Sequence, residues 1–272
     1  MAKEIKETLS VIVPAYRQER TIVQDLKNIE DVLKRIRYDY EIVCVVDGKA
    51  DKTFENAKKL LSSKLRVVGY ETNRGKGYAV RYGMARAKGN LIAFIDAGME
   101  IDPNGLSMIL EHMEWYQADI IVGSKHHPAS QVDYPFDRRV ISFLYQLFVR
   151  VFTGLNVRDT QAGLKIFRRE VLEKVLSRMI VKRYAFDLEM LVVAHHLGYK
   201  RVYEAPIKLN YRFEDLTHAV SLKEFFSQNG LWGSFLDTLA IIYRLRFLRY
   251  YDDKNKRKWV YDKELDMRIN VG

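Results

Sequence analysis

Four short apolar runs, separated by stretches of helical periodicity, constrain what this chain can fold into more than any other feature. The runs are "LSVIVPAY" (9–16), "YEIVCVVDG" (40–48), "LRVVGYE" (65–71) and "NLIAFIDAG" (90–98). Each reads as a buried β-strand. Between them lie 21–36, with Ile22, Leu26, Ile29, Val32, Leu33 and Ile36 near 3.6-residue spacing, then about 53–63, then 76–87. Strands alternating with helices predict an α/β domain with a mainly parallel sheet and helices on both of its faces.

Two of the runs end alike, in "VVDG" and "FIDAG". In an open parallel sheet, ligands bind at the carboxyl ends of the strands, near the point where strand order reverses. Asp47 and Asp96 belong on that edge. A single Asp there is read equally well as a turn or cap residue. Two such acids, with Asp51 and Glu100 close behind, point to a shared polar site. Carboxylates at a strand edge suit a hard cation, Mg²⁺ or Mn²⁺, which in turn binds phosphate oxygens.

The bulk numbers narrow the partners. The 272 residues suffice for one large domain, or for one domain with an appendage. A hydrophobic content of 48% with 29% charged residues is that of a soluble globular protein. The single cysteine, Cys44, fits a reducing compartment. The start "MAKEIKETLS" lacks an apolar core, so no signal peptide is expected, and no apolar run reaches transmembrane length. A net charge of +10 favours an anionic partner. The basic residues are spread along the chain and form no nucleic-acid motif, so nucleic acid is not the expected one.

Seven segments carry a family resemblance: "SVIVPAYRQERTI", "VVDGKADKT", "NRGKGYAVRYG", "FIDAG", "GSK", "DRRVIS" and "DTQAGLKIFRREVL". In this order, over about residues 8–225, they resemble the family 2 glycosyltransferases of the GT-A fold. The nearest likeness is to the dolichyl-phosphate mannose synthases and related polyprenyl-phosphate glycosyltransferases. The resemblance implies inverting transfer of a hexose, mannose or glucose, from a nucleotide-diphosphate sugar to a polyprenyl or dolichyl phosphate. It places that reaction at the cytoplasmic face of a membrane.

The same resemblance distributes roles. Pro14 and Tyr16 pack on a nucleoside at the pocket rim, and Asp47 contacts base or ribose with Asp51 nearby. Gln18 replaces a Glu that reads the nucleotide, which leaves the base open. Lys76 opens a helix whose N-terminus favours an anion. Asp96, Ala97, Gly98, Met99 and Glu100 stand where the family carries Asp-x-Asp, often with Gln two residues on. Gly98 replaces the second Asp, and Glu100 falls at the Gln. Asp96 and Glu100 are therefore the expected metal ligands, with Asp102 a further candidate. Lys125, Arg138, Arg212 and His218 occupy basic positions at the two phosphates. Asp159, Thr160 and Gln161 line the acceptor side. A phosphate acceptor is already ionised and needs no strong base; with a hydroxyl acceptor, Asp187 or Glu189 in "AFDLEML" serves as one.

Two alternatives stay open: a polysaccharide or glycolipid hydroxyl acceptor, and a non-catalytic nucleotide-sugar-binding protein. The expected organisation is a GT-A domain over 1–228 and an amphipathic, basic and aromatic extension over 229–272. In 140–153, Ile141, Leu144, Tyr145, Phe148 and Phe152 share a helical face, opposite Ser142, Gln146, Arg150 and Thr153. Trp232, Phe235, Leu236, Leu239, Ile242 and Tyr243 form a second stripe, followed by Arg244, Arg246 and Arg249. Such faces suit a helix lying in a lipid interface. They equally suit packing on the core or a homodimer contact.

Overall fold

The computed structural model describes residues 7–60, 62–130, 136–182, 185–210 and 231–270, with 136–141, 231–232 and 256–258 entering as backbone only. Among these residues seven strands share one sheet: β1 (Thr8–Ala15), β2 (Asp39–Asp47), β3 (Leu65–Tyr70), β4 (Leu91–Ile95), β5 (Ile120–Ser124), β6 (Leu164–Arg168) and β7 (Val202–Pro206). Their order is β3-β2-β1-β4-β6-β5-β7. β1 pairs in parallel with β2 and β4, β2 with β3, and β5 with β7. β6 runs antiparallel to β4 and β5. The sheet is thus mainly parallel, as the alternating pattern requires.

Side chains two apart face the same side of a strand, and this divides the core into two layers. Ile12, Val43, Val45, Ile92 and Phe94 share their layer with α3 (Lys76–Arg86), α6 (Arg169–Val175) and α7 (Phe186–His196). Val11, Val13, Cys44, Val46, Ala93 and Ile95 face α1 (Ile22–Leu33) and α4 (Gly105–Trp115). Strands buried on both faces leave their C-terminal edge as the place where polar side chains collect. β2 and β4 flank β1, so strand order reverses beside β1, and the carboxyl ends of β1 and β4 border the crevice.

The C-terminal segment packs into this domain. α8 (Leu231–Arg246) lies on α5 (Phe136–Thr153), with the Phe148 and Phe235 rings 5.6 Å apart and the Tyr145 and Thr238 hydroxyls at 2.9 Å. Ile241, Leu245, Tyr250 and Tyr251 join the core beside α7. The Tyr251 hydroxyl donates to Glu189 Oε1 at 2.8 Å, and Glu189 also accepts the Ile180 and Val181 N–H groups. Glu189 is thereby a buried fastener, contrary to its reading as a general base. A final hairpin, β8 (Trp259–Asp262) and β9 (Met267–Asn270), brings Glu264 onto Arg74 and the Tyr78 hydroxyl.

The apolar stripes divide differently from the periodicity. Tyr145 and Phe148 face α8, Ile242 is buried, and Thr153 turns inward to the Val149 carbonyl. Among the described side chains, the solvent-facing apolar residues are Phe143, Leu144, Leu147, Val151 and Phe152 on α5, and Leu236, Leu239 and Tyr243 on α8. Phe247 and Leu248 continue that surface. No helix among the described residues is long and apolar enough to cross a membrane.

Gly83 shows how closely α3 seats on the sheet: a Cβ there would lie 2.4 Å from Ile12 Cγ2 and 2.8 Å from Val45 Cγ2. Gly83→Val is expected to destabilise the fold by about 2–3 kcal/mol through overpacking, read as a lower urea midpoint at unchanged slope.

Candidate functional site

The crevice is bounded by the segments that leave β1, β2 and β4. After β1, Tyr16 is exposed and Arg17 takes a positive φ of 53°. The Gln18 N–H donates to Thr53 Oγ1 at 2.8 Å, and Gln18 Oε1 accepts the Thr21 hydroxyl at 2.8 Å. Asp51 Oδ1 accepts the Thr53 N–H at 2.9 Å, and its Oδ2 accepts the Glu19 N–H at 3.3 Å. These bonds lock the rim after β1 to the start of α2 (Thr53–Lys58).

At the end of β2, Asp47 is 3% exposed. Its carboxylate accepts the Tyr70 hydroxyl (2.8 Å), the Asn73 amide (3.0 Å) and the N–H groups of Arg74 (2.8 Å) and Gly75 (3.0 Å). An ionised carboxylate has about four acceptor positions, so this one shapes the loop entering α3 and keeps no acceptor for a nucleoside.

Asp96 follows β4 by one residue. Continuing the pleat after Ile92 and Phe94, it lies toward α3. Lys76 Nζ, at the start of α3, donates to Asp96 Oδ2 at 2.6 Å. Beneath the carboxylate is Gly163, where a Cβ would fall 2.1 Å from Asp96 Oδ2. Burial alone would push the Lys76 ammonium down, but the carboxylates of Asp96 and Asp187 outweigh it and hold the pKa above the usual lysine value. Lys76 is therefore a fixed cation at neutral pH.

Asp96 Oδ1 is buried and has no hydrogen-bond partner. An unpartnered, desolvated carboxylate oxygen is the hard donor that Mg²⁺ or Mn²⁺ takes, and Mg²⁺ commonly uses one or two carboxylates and completes its shell with substrate phosphates. Glu100 has an exposed side chain near enough to Lys76 to raise it. Asp102 Oδ1 accepts the Asn104 N–H and amide at 2.9 and 2.8 Å as α4 begins. No group of three His, Cys, Asp or Glu side chains is arranged around a metal position among the described residues. Asp96, with Glu100 and the oxygens of a bound diphosphate, is thus the set left to fit a cation. Gly98 has φ of +94° and Met99 of 57°, a backbone that L side chains rarely adopt. That conformation accounts for glycine where an acid is expected.

Asp187, in the first turn of α7, is 3% exposed and pairs at 2.6 Å with Lys165 Nζ of β6. Lys165 has no exposed surface and also donates to the Ala162 carbonyl at 2.5 Å. Burial pushes the Asp187 carboxyl up and the Lys165 ammonium down, and their contact opposes both shifts. Lys165 is the participant that motif reading missed. The signal was present: in "GLKIF" it alternates with Leu164 and Ile166, so it must face the same layer as Phe167.

Lys125 stands half-buried after β5, with its N–H on Asp159 Oδ2 at 2.9 Å. Asp159 also accepts the Gln161 N–H at 3.3 Å, and both Asp159 and Thr160 are 5% exposed. Gln161 donates from its amide to Ser234 Oγ at 3.0 Å, joining this loop to α8. Pro14 is buried, and its carbonyl accepts the Ala97 N–H. Arg212 and His218 lie outside the described residues, and of Arg138 only the backbone, in the first turn of α5, is described.

The mainly parallel sheet, with its crevice at the carboxyl ends of β1 and β4, is an α/β domain of the GT-A type. The model of "Glycosyl transferase family 2" matches residues 10–176, and the chain belongs to that family. It is 34% identical over 205 residues to a dolichyl-phosphate beta-glucosyltransferase of Drosophila melanogaster, covering 70% of this chain and 63% of that protein. It is 32% identical over 202 residues to the enzyme so named in Homo sapiens, covering 68% and 62%. The chain thus spans less than two thirds of these relatives. The fold is similar to that of glucosyl-3-phosphoglycerate synthase from Mycobacterium tuberculosis, crystallised with Mn²⁺, uridine diphosphate and phosphoglyceric acid. That match has a TM-score of 0.61 at 17% identity, over 87% of this chain and 78% of the other.

Asp47→Asn sets an amide NH₂ against donors that now meet an oxygen. The expected cost is about 1–3 kcal/mol, measured by urea unfolding, with faster hydrogen exchange at Arg74 and Gly75.

Proposed function

We propose that the protein is an inverting hexosyltransferase that moves a sugar from a nucleotide-diphosphate donor to a polyprenyl phosphate on the cytoplasmic face of a membrane. Glucose is favoured over mannose, because the relatives at 32–34% identity carry that name. The observation that carries the choice of acceptor is the state of Asp187. It is buried and bound to a fully buried lysine, so it neither reaches an acceptor hydroxyl nor accepts its proton. An acceptor that arrives as an anion needs no base.

In this reading the donor diphosphate lies over the edge of β1 and β4. Lys76 and Asp96 stand beneath it, with Tyr16, Gln18 and Asp51 at the nucleoside rim and Lys125 at the phosphates. Asp96, with Glu100, would hold a Mg²⁺ or Mn²⁺ ion, which supplies charge stabilisation to the leaving diphosphate. An acceptor phosphate oxygen attacks the anomeric carbon from the face opposite the diphosphate. The new C–O bond forms as the bond to the diphosphate oxygen breaks, and the electron pair leaves with the nucleoside diphosphate. Lys76 is pre-set for that growing negative charge, since its ammonium is fixed before donor binds. Asp159, Thr160 and Gln161 would serve the acceptor side, and the family resemblance adds Arg138, Arg212 and His218 as cations for the two phosphates.

Transfer to a short-chain polyprenyl phosphate, followed with radiolabelled nucleotide sugars, tests this directly. Asp96→Asn is expected to abolish transfer and Glu100→Gln to reduce it less, and excess chelator should silence the wild type. Arg138→Ala should lose most turnover. Asp187→Asn should stay within about tenfold of wild type, where a general base would cost about 10²–10⁴. Full activity of Asp96→Asn would sink the site, and collapse of Asp187→Asn with Arg138→Ala intact would favour a hydroxyl acceptor.

The exposed apolar faces of α5 and α8, beside Arg150, Arg246 and Arg249, suit a lipid interface. Truncating the C-terminal segment would uncover the core around Ile241 and Tyr251, so single residues are the better probes. Leu147→Glu and Phe247→Glu should each weaken co-sedimentation with anionic vesicles at low salt without lowering Tm. Undiminished binding, or a wild type that ignores vesicles and forms a homodimer through this face, would overturn the lipid reading.

A further inference from the structure

The site contains four buried or half-buried charges in alternating order: Asp96, Lys76, Asp187 and Lys165. The outer pairs are in contact, with Lys76 Nζ 2.6 Å from Asp96 and Lys165 Nζ 2.6 Å from Asp187. Between the pairs stands Phe94, whose ring centroid is 6.0 Å from Lys76 Nζ and 5.2 Å from Lys165 Nζ. Lys76 Nζ also lies 5.8 Å from the ring of Phe186, the residue next to Asp187. Only Lys165 is fully enclosed, while Lys76 and Asp96 are each 31% exposed at the side chain.

We infer that Lys165 is a positioning residue that occupies Asp187 so that the ammonium of Lys76 stays on Asp96, facing the donor diphosphate; this rests on the transferase reading above. The reason is electrostatic. A buried carboxylate without a cation is strongly unfavourable and draws the nearest mobile one. Asp187 is faced by Lys165 from β6, Lys76 from α3 and the like charge of Asp96 just beyond β4. Lys165 is faced by Asp187 and, more remotely, by Asp159 and Lys76. With Lys165 removed, the flexible stem of Lys76 turns from Asp96 to Asp187. The crevice then loses its fixed cation, though no residue that meets the donor has been altered.

A second account gives Lys165 only the task of fastening α7 to β6. The two differ in what the folded protein binds. The probes are uridine diphosphate and guanosine diphosphate, titrated by calorimetry with Mg²⁺ and again with chelator, the tighter one being followed. Lys165→Met is expected to weaken binding about tenfold, the loss of one charge-assisted contact, and to raise donor KM while acceptor KM holds. Adding Asp187→Asn removes the charge that diverts Lys76, so the neutral pair Lys165→Met/Asp187→Asn should return to within about threefold of wild type. Lys76→Met should lose the same tenfold and gain nothing from Asp187→Asn.

If Lys165→Met alone does not fold, Lys165→Gln, which can still hydrogen-bond Asp187 but brings no charge, carries the test: binding weakened about tenfold supports positioning, and wild-type binding overturns it. Wild-type affinity in folded Lys165→Met also overturns it, leaving the transferase reading in place. A wild type that binds neither diphosphate sinks both.

Discussion

The pair between Lys76 and Asp96 is the contact on which the rest of the site depends, and it exists only because a glycine lies beneath it. A side chain at 163 would occupy the place of Asp96 Oδ2. β6 must therefore arrive antiparallel beside β4 with Gly163 ahead of its first residue, which the pairing of Ile95 with Leu164 fixes. The Asp96 N–H donates to the Gly163 carbonyl at 3.2 Å, closing the register. The antiparallel strand inside a mainly parallel sheet is thus what delivers the floor of the crevice. It also brings in Lys165, two residues along and on the same face.

Most acids at this edge hold the scaffold together. Asp47 bonds four donors, Asp51 two, Asp159 two, and Asp25 takes the Gly98 N–H at 3.0 Å. A carboxylate that accepts backbone N–H groups replaces water with fixed donors and stiffens the loops it joins. Asp96 differs in kind: one oxygen meets a lysine and the other, though buried, meets nothing. Leaving a buried acceptor unmade costs about 1–3 kcal/mol, so a fold that keeps one at the crevice stores a preference for an incoming cation. Partner count, and not position at a strand end, separates the acid proposed to meet a cation from those that hold the loops.

That distinction explains what could be read from the sequence. The strands over 9–16, 40–48, 65–71 and 90–98 stand within a few residues of their expected places, because β-rich apolar runs buried on both faces leave little choice. The fourth stops at Ile95 instead of reaching 98, because the chain turns at Ala97 and Gly98. The direction of β6 was not legible, because a run such as "GLKIF" is equally apolar to neighbours of either sense. The roles of Asp47 and Asp96 looked alike in "VVDG" and "FIDAG". Their difference comes from Tyr70, Asn73 and Lys76, which only the folded chain sets around them. The stripes on α5 and α8 were visible as amphipathic, but a broad apolar face serves two surfaces at once, and Tyr145 and Phe148 went to the partner helix while Leu147 and Val151 went outward.

The outward apolar surface and the crevice share one frame. α5 carries exposed Phe143, Leu147 and Val151 on one side and, through Tyr145 and Phe148, grips α8 on the other. α8 in turn presents Leu239 and Tyr243 outward while Ser234 receives the amide of Gln161 from the loop ahead of β6. The segment beyond it returns through Tyr251 to Glu189, in the helix that bears Asp187, and through Glu264 to Arg74, whose N–H meets Asp47. Each of these links joins the C-terminal segment to an element that also positions a charge at the site. A surface that docks the two helices would thereby hold the crevice in a set orientation to whatever it docks on. For a substrate confined to a bilayer, fixed orientation replaces part of the search that a soluble acceptor makes by diffusion. The C-terminal segment is best understood as the part of the domain that ties the edge of the sheet to the outer apolar face.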